Sequence, residues 1–180
     1  LKSKHPLGRT VSREGLPRLP APAEISNEVV LESLQAFPKG SAAGPGGLRP
    51  QHLKDGCSNP SQNTALLALA DLVRVMAKGG LPSEVAPCIA GARLFALPKE
   101  GTDVRPIAIG ETLRRLTSRC LCKVTRDDAK SYLWPLQLGV SCPPGAETMV
   151  HATRQYAERN KAATKKVILK VDFSNAFNLI

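Results

Sequence analysis

The chain has 180 residues, 25 Lys and Arg against 15 Asp and Glu, and a formal net charge of +10, which bounds it to one ordinary domain or slightly more. With 42% hydrophobic and 22% charged residues it can build a packed core, so wholesale disorder is excluded, and no run of about 18 apolar residues is present to span a membrane. The basic excess points to a polyanion as partner and is concentrated, since residues 111–180 hold 12 basic and 6 acidic groups, more than half of the net charge.

Residues 1–25 carry Pro6, Pro17, Pro20 and Pro22 without apolar periodicity, and are expected to form an extended arm or linker outside the core. Ser26 stands where a helix N-cap is needed, and Val30, Leu34 and Phe37 share one face of the helix that follows, up to Pro38. A glycine-rich turn over 40–50 leads into a short helix near 51–54. A second amphipathic helix is expected over about 62–78, with Leu66, Leu69, Val73 and Met76 inward and Gly79-Gly80 ending it. After Pro87 the pattern turns to strands, 92–97 and 104–109, joined by a polar turn at 100–103 into a hairpin with basic residues at its tip.

The third long helix is expected over 111–132, with Leu113, Leu116, Cys120 and Val124 inward, and Arg115, Arg119, Lys123 and Arg126 recurring on another face until Trp134-Pro135 breaks it. A short extended piece at 137–140, a turn at 143–145 and a helix over 146–160 carrying Met149, Ala152 and Tyr156 follow. The most β-like run closes the series at 167–173: Val167, Leu169, Val171 and Phe173 alternate with Ile168, Lys170 and Asp172.

Three groupings could carry chemistry. Asp172 at the end of that run is positioned either to hold a divalent cation or to cap the next helix. Lys99 and Arg105 flank the hairpin turn, where they could grip a polyphosphate or simply be solvated. The Arg115, Arg119, Lys123, Arg126 stripe could follow a phosphodiester backbone, or form a solvated helical face. The glycines at 44–47 are not followed by the Lys-Ser/Thr pair of a phosphate-binding loop, and His5, His52 and His151 are scattered with no nucleophile beside them, so neither P-loop nor triad chemistry has support. Cys57, Cys88, Cys120, Cys122 and Cys142 are odd in number and irregularly spaced, which argues for thiols in a reducing, intracellular setting over a disulfide framework or a zinc site.

The order of four motifs is more specific than any one of them. Gly44-Pro45-Gly46-Gly47-Leu48, then Leu97-Pro98-Lys99 with Arg105-Pro106-Ile107, then Gln137-Leu138-Gly139-Val140, then Val171-Asp172-Phe173-Ser174-Asn175-Ala176-Phe177-Asn178 resembles the N-terminal half of reverse transcriptases, in particular those of non-LTR, LINE-like retroelements. The likeness runs over residues 26–180. It implies an α+β, helix-rich fingers region over 26–166 with a β-hairpin, followed at 167–180 by the first strand of an incomplete palm and the start of its next helix.

The resemblance also implies roles. Asp172 matches the first catalytic aspartate, which with the backbone carbonyl of Phe173 holds Mg²⁺ for two-metal nucleotidyl transfer to a primer 3′-hydroxyl. Lys99, Arg105 and Asn175 match residues near the incoming deoxynucleoside triphosphate, and Phe177 the aromatic gate against a ribose 2′-hydroxyl. Gln137 and Gly139 match a motif beside the template, which the stripe from Arg115 through Arg119 and Lys123 to Arg126 would also face. The implied partners are an RNA template, a DNA primer and deoxynucleotides, with no membrane. Departures exist: the turn at 142–147 carries no basic residue, Asn178 stands where many relatives have Asp, and the second metal-binding element, an aromatic-x-Asp-Asp hairpin, has no counterpart, since Asp127-Asp128 precedes Asp172 and follows Thr125-Arg126. The resemblance therefore implies a piece of an RNA-directed DNA polymerase that is inactive alone and is completed by downstream palm and thumb segments. The reading set against it is a non-catalytic nucleic-acid-binding remnant.

Overall fold

The first helix begins as its cap requires. In the computed structural model, which describes residues 24–58, 63–99, 101, 103–163 and 165–172, the Ser26 hydroxyl oxygen accepts the Val29 N–H at 3.3 Å and so satisfies one orphan donor of α1 (Asn27–Gln35). The next long helix, α3 (Asn63–Ala77), ends on its glycines: Gly79 adopts φ +70°, and the Gly80 N–H reaches back to the Val75 carbonyl at 2.9 Å, the six-to-one bond of a Schellman ending. Between them lies the short α2 (Pro50–Gly56), with proline in its first turn where a missing N–H costs nothing.

Helices α1 and α3 pack with α5 (Thr112–Val124). Val30, Leu34 and Phe37, then Leu69, Ala70 and Val73, then Leu116 and Cys120 form one buried cluster, and the apolar spacings expected along these three helices account for it. Ile25 belongs to it as well, although the arm over 1–25 was expected to stay outside the core. Its side chain is buried in the cluster, and its carbonyl accepts from Arg74 Nε at 2.8 Å while another Arg74 nitrogen donates to Asn27 Oδ1 at 2.6 Å. One side chain of α3 thus ties down the approach to α1. The rest of the expected arm, to residue 23, lies outside the described residues.

A short α4 (Ala86–Ala90), not anticipated from the sequence, precedes the hairpin. Strands β1 (Ala92–Pro98) and β2 (Val104–Gly110) pair antiparallel in the register Ala92↔Gly110 through Pro98↔Val104. Every residue of β1 is exposed, so the hairpin projects from the helices with its base against the start of α5.

The chain divides into two compact units, the second starting at Thr125. This corrects the expectation of one helix over 111–132. Thr125, at φ −96° and ψ 5°, separates α5 from α6 (Arg126–Leu133). The β-branched pair Val124-Thr125 is a poor helix interior, while Asp127 and Asp128 in the first turn of α6 favour a fresh N-terminus there. The second unit continues with α7 (Gly145–Arg159), on which Met149, Ala152 and Tyr156 are exposed. Two expected extended pieces in this unit are not strands. Residues 137–138 are irregular and 139–140 form a bend, and the described residues 165–172 carry no strand pairing, with Val167 86% and Leu169 82% exposed. Alternation alone does not make a strand: without a neighbouring ladder, neither the backbone groups nor the apolar face gains anything from extension. Phe173 lies outside the described residues. Among the described residues the chain has seven helices and one two-stranded antiparallel sheet, an α+β fold.

Candidate nucleic-acid interface

The glycine-rich loop and the start of α5 are fastened together at three points. The carboxylate of Glu111, itself 7% exposed, accepts the Gly46 N–H through Oε1. The Thr112 hydroxyl donates to the Leu48 carbonyl at 2.5 Å, and the Arg115 guanidinium donates to the Ala42 carbonyl. Glycine is required for this approach at residue 44, because a Cβ there would lie 2.6 Å from the Glu111 Cα and 2.8 Å from the Gly110 carbonyl oxygen. Gly47, at φ +79°, closes the turn by donating to the Gly44 carbonyl at 3.1 Å.

Arg115 carries that attachment to an open groove of about 580 Å³, which it lines. Phe37, Pro38 and Ser41 lie along one side, and Arg114, Arg115, Ser118 and Arg119 of α5 along the other. Arg119 sits over the Phe37 ring at 4.5 Å, with Arg115 at 5.6 Å from the same centroid, a cation–π arrangement that holds two like charges against one aromatic face. Arg119 also donates to the Ala36 carbonyl at 3.3 Å, at the C-terminal end of α1 where a cation is favoured. Arg115 donates to Thr112 Oγ1 at 3.1 Å, while its Nε is buried and finds no acceptor among the described residues. Burial first, and then the Arg119 charge, hold the Arg115 guanidinium below its usual range, with Glu111 pulling the other way. An anion entering the groove would relieve that repulsion.

Arg119 and Ser118 also border a second depression, of about 340 Å³, in which Lys123 forms an ion pair with Glu32 of α1. The expected basic stripe is therefore engaged with its own unit at three positions: Arg115 and Arg119 on loop and helix carbonyls, Lys123 on a carboxylate. The fourth does not belong to the same helix, since Arg126 opens α6 in the second unit.

The hairpin turn brings Lys99 and Arg105 to one end. The Lys99 N–H bonds the Asp103 carbonyl at 3.0 Å, Arg105 pairs across from Leu97, Gly101 takes φ +80°, and both cationic side chains are exposed. In the second unit, Gln137 turns its side chain back so that Oε1 accepts the Gly139 N–H at 2.7 Å, a local turn between the two residues expected beside a template. Asp172 is exposed, and among the described residues no three His, Cys, Asp or Glu side chains gather into a group that could hold a metal ion. A lone carboxylate does not fit a site for two Mg²⁺ ions. Phe173, Asn175 and Phe177 lie outside the described residues.

Two contributors escaped the sequence reading. Arg114, adjacent in sequence to the stripe but off its spacing, donates to the Ala90 carbonyl at 2.6 Å and lies over Gly110, where a Cβ would collide with its guanidinium. Glu111 reads in sequence as a mere helix-start acid, and its partner Gly46 lies 65 residues away. Gly46, whose missing Cβ admits the Glu111 carboxylate, hints at a close neighbour but not at which residue supplies it. Comparison with protein-family models, curated proteins and solved structures finds no match for this chain.

Proposed function

We propose that this chain is a nucleic-acid-binding, fingers-like region of an RNA-directed DNA polymerase of the non-LTR retroelement type. The observation that carries the binding part of the reading is the groove of about 580 Å³ lined by Arg114, Arg115 and Arg119, in which fixed guanidinium groups and the Ser118 hydroxyl offer donors suited to successive phosphates of one strand. The hairpin supports the same reading. Lys99 and Arg105, exposed at one end of a two-stranded ribbon, supply a mobile point charge and a planar fork for the triphosphate of a deoxynucleotide. The polymerase part rests on the motif order that ends in Asp172 and Phe173.

In that reading Arg115 and Arg119 bind backbone and Lys99 and Arg105 bind the nucleotide triphosphate, while the resemblance assigns nucleotide roles to Asn175 and Phe177 and template roles to Lys123, Arg126, Gln137 and Gly139. Asp172 would contribute one ligand toward Mg²⁺, and no catalytic step is assigned to these residues by themselves. Among the described residues no helix is long and apolar enough to cross a membrane.

A non-catalytic binding module is the second reading, favoured by the exposed Asp172, which among the described residues belongs to no group of three or more His, Cys, Asp or Glu side chains. Photocrosslinking of a 4-thiouridine RNA annealed to a DNA primer, followed by mass spectrometry, tests the site: crosslinks within α5, the 41–48 loop and the hairpin are expected, and crosslinks confined to α7 would reject it. Titrating Mg²⁺ during RNA binding separates the two readings. Tightening by Mg²⁺ in the wild type that Asp172→Ala abolishes supports the polymerase, and identical responses support the module.

A further inference from the structure

We propose that Glu111 is a positioning residue for the arginine groove: its carboxylate, by holding the Gly46 N–H, keeps the 42–48 loop on α5 and so fixes the Arg115 guanidinium in the groove wall. The inference rests on the nucleic-acid reading of that groove. Glu111 is nearly buried and does not line the groove itself. It acts through a neighbour, because the loop it grips also presents the Ala42 carbonyl that receives Arg115. Gly44 and Gly46 are the residues whose missing side chains admit it, since a Cβ at 46 would lie 3.2 Å from Glu111 Oε1. With the clamp released, the loop keeps only the Thr112–Leu48 and Arg115–Ala42 bonds to α5 and is held less firmly. Arg115, already carrying a buried unpartnered Nε and facing the Arg119 charge, would then swing out to solvent, disrupting the rigid spacing of guanidinium groups that a phosphate backbone needs.

The sign of the effect separates positioning from simple charge. Glu111 is an acid close to a cationic groove, so if it acted only by its charge, both Glu111→Ala and Glu111→Gln would bind RNA more tightly. Gln keeps an acceptor oxygen for the Gly46 N–H, whereas Ala does not. Binding of the full chain to a fluorescein-labelled single-stranded RNA of mixed sequence, read by anisotropy, is therefore expected to weaken about threefold to tenfold in Glu111→Ala and to stay within about twofold of wild type in Glu111→Gln. Tighter or unchanged binding by Glu111→Ala overturns the proposal. Arg119→Ala, measured alongside, locates a failure: loss of binding there with none in Glu111→Ala rejects the positioning role alone, while wild-type binding by Arg119→Ala rejects the groove reading and this inference with it. If Glu111→Ala does not fold, amide exchange in the wild type decides. The Gly46 amide is expected to be protected and to slow further on saturation with the RNA, because binding and loop closure are reciprocally coupled; exchange at an unprotected rate with and without RNA overturns the proposal.

Discussion

Arg119 touches three things at once: the Ala36 carbonyl that ends α1, the face of Phe37, and the open groove. The first two hold the guanidinium in place, and the third leaves donors for a ligand. Replacing it with Ala is expected to lower stability by about 1 kcal/mol, through the lost cation–π contact and helix-end interaction, and to weaken RNA binding without altering any base preference, since a phosphate contact carries no sequence information. Thermal denaturation and anisotropy on RNAs of different sequence check the two effects. Arg119→Lys separates them from charge: lysine keeps the cation but lacks the planar fork and the stack, so it should recover less than half of the binding free energy lost in Arg119→Ala. Lys123 is paired with Glu32 and does not line the groove, so it offers a ligand there no direct contact to lose, and Lys123→Ala should weaken binding less than Arg119→Ala.

Among the elements, α1 is held by its ends. Ser26 caps it, and the Glu28 carboxylate is held below its ordinary range first by the Ser26 hydroxyl and then by its own backbone N–H. A depressed carboxylate stabilises the fold above its unfolded-state pKa, and that contribution is lost as pH falls through its lower folded-state value. Glu28→Gln should therefore be less stable than wild type at neutral pH, by a small amount since the group is exposed, and the gap should close on acidification through the carboxylate range. Chemical denaturation at a series of pH values reads this directly.

The same scale shows what the sequence could and could not reveal. The cores of α1, α3 and α5 were legible because Val30 and Leu34, Leu69 and Val73, and Leu116 and Cys120 repeat with the helical period, and Ser26 and Gly79 mark ends by local chemistry. The hairpin was legible because two β-rich runs flank a polar turn. What failed depended on partners distant in the chain. The 167–173 alternation has a strand's pattern but, over its described residues, no ladder. Arg126 fits the helical stripe only if the helix continues through Thr125. Glu111 and Gly46 meet across 65 residues, and nothing local to either announces the other.

For the molecule as a whole, the cysteines report on the core without perturbing it. All five are free. Cys120 is fully buried in the α1–α3–α5 cluster, and burial raises its thiol pKa, as it does for Cys57. Cys88 and Cys122 are exposed. A disulfide-exchange reagent near pH 8 should therefore label Cys88 and Cys122 first, and Cys120 only at the rate of unfolding. Equal labelling of Cys120 and Cys122, two positions apart on α5, would mean that the helix face assigned to the core is wrong.

The central claim is that the first unit holds a nucleic-acid backbone in the groove beside α5, and salt dependence tests it most directly. For single strands each neutralised phosphate contributes about −0.7 to the slope of log affinity against log salt. Anisotropy titrations of a single-stranded RNA across a salt series are expected to give a slope of about −2 for the wild type, with Arg115→Ala/Arg119→Ala binding more weakly and flattening the slope by more than about 1. Equal slopes and affinities for the wild type and the double variant would contradict the claim.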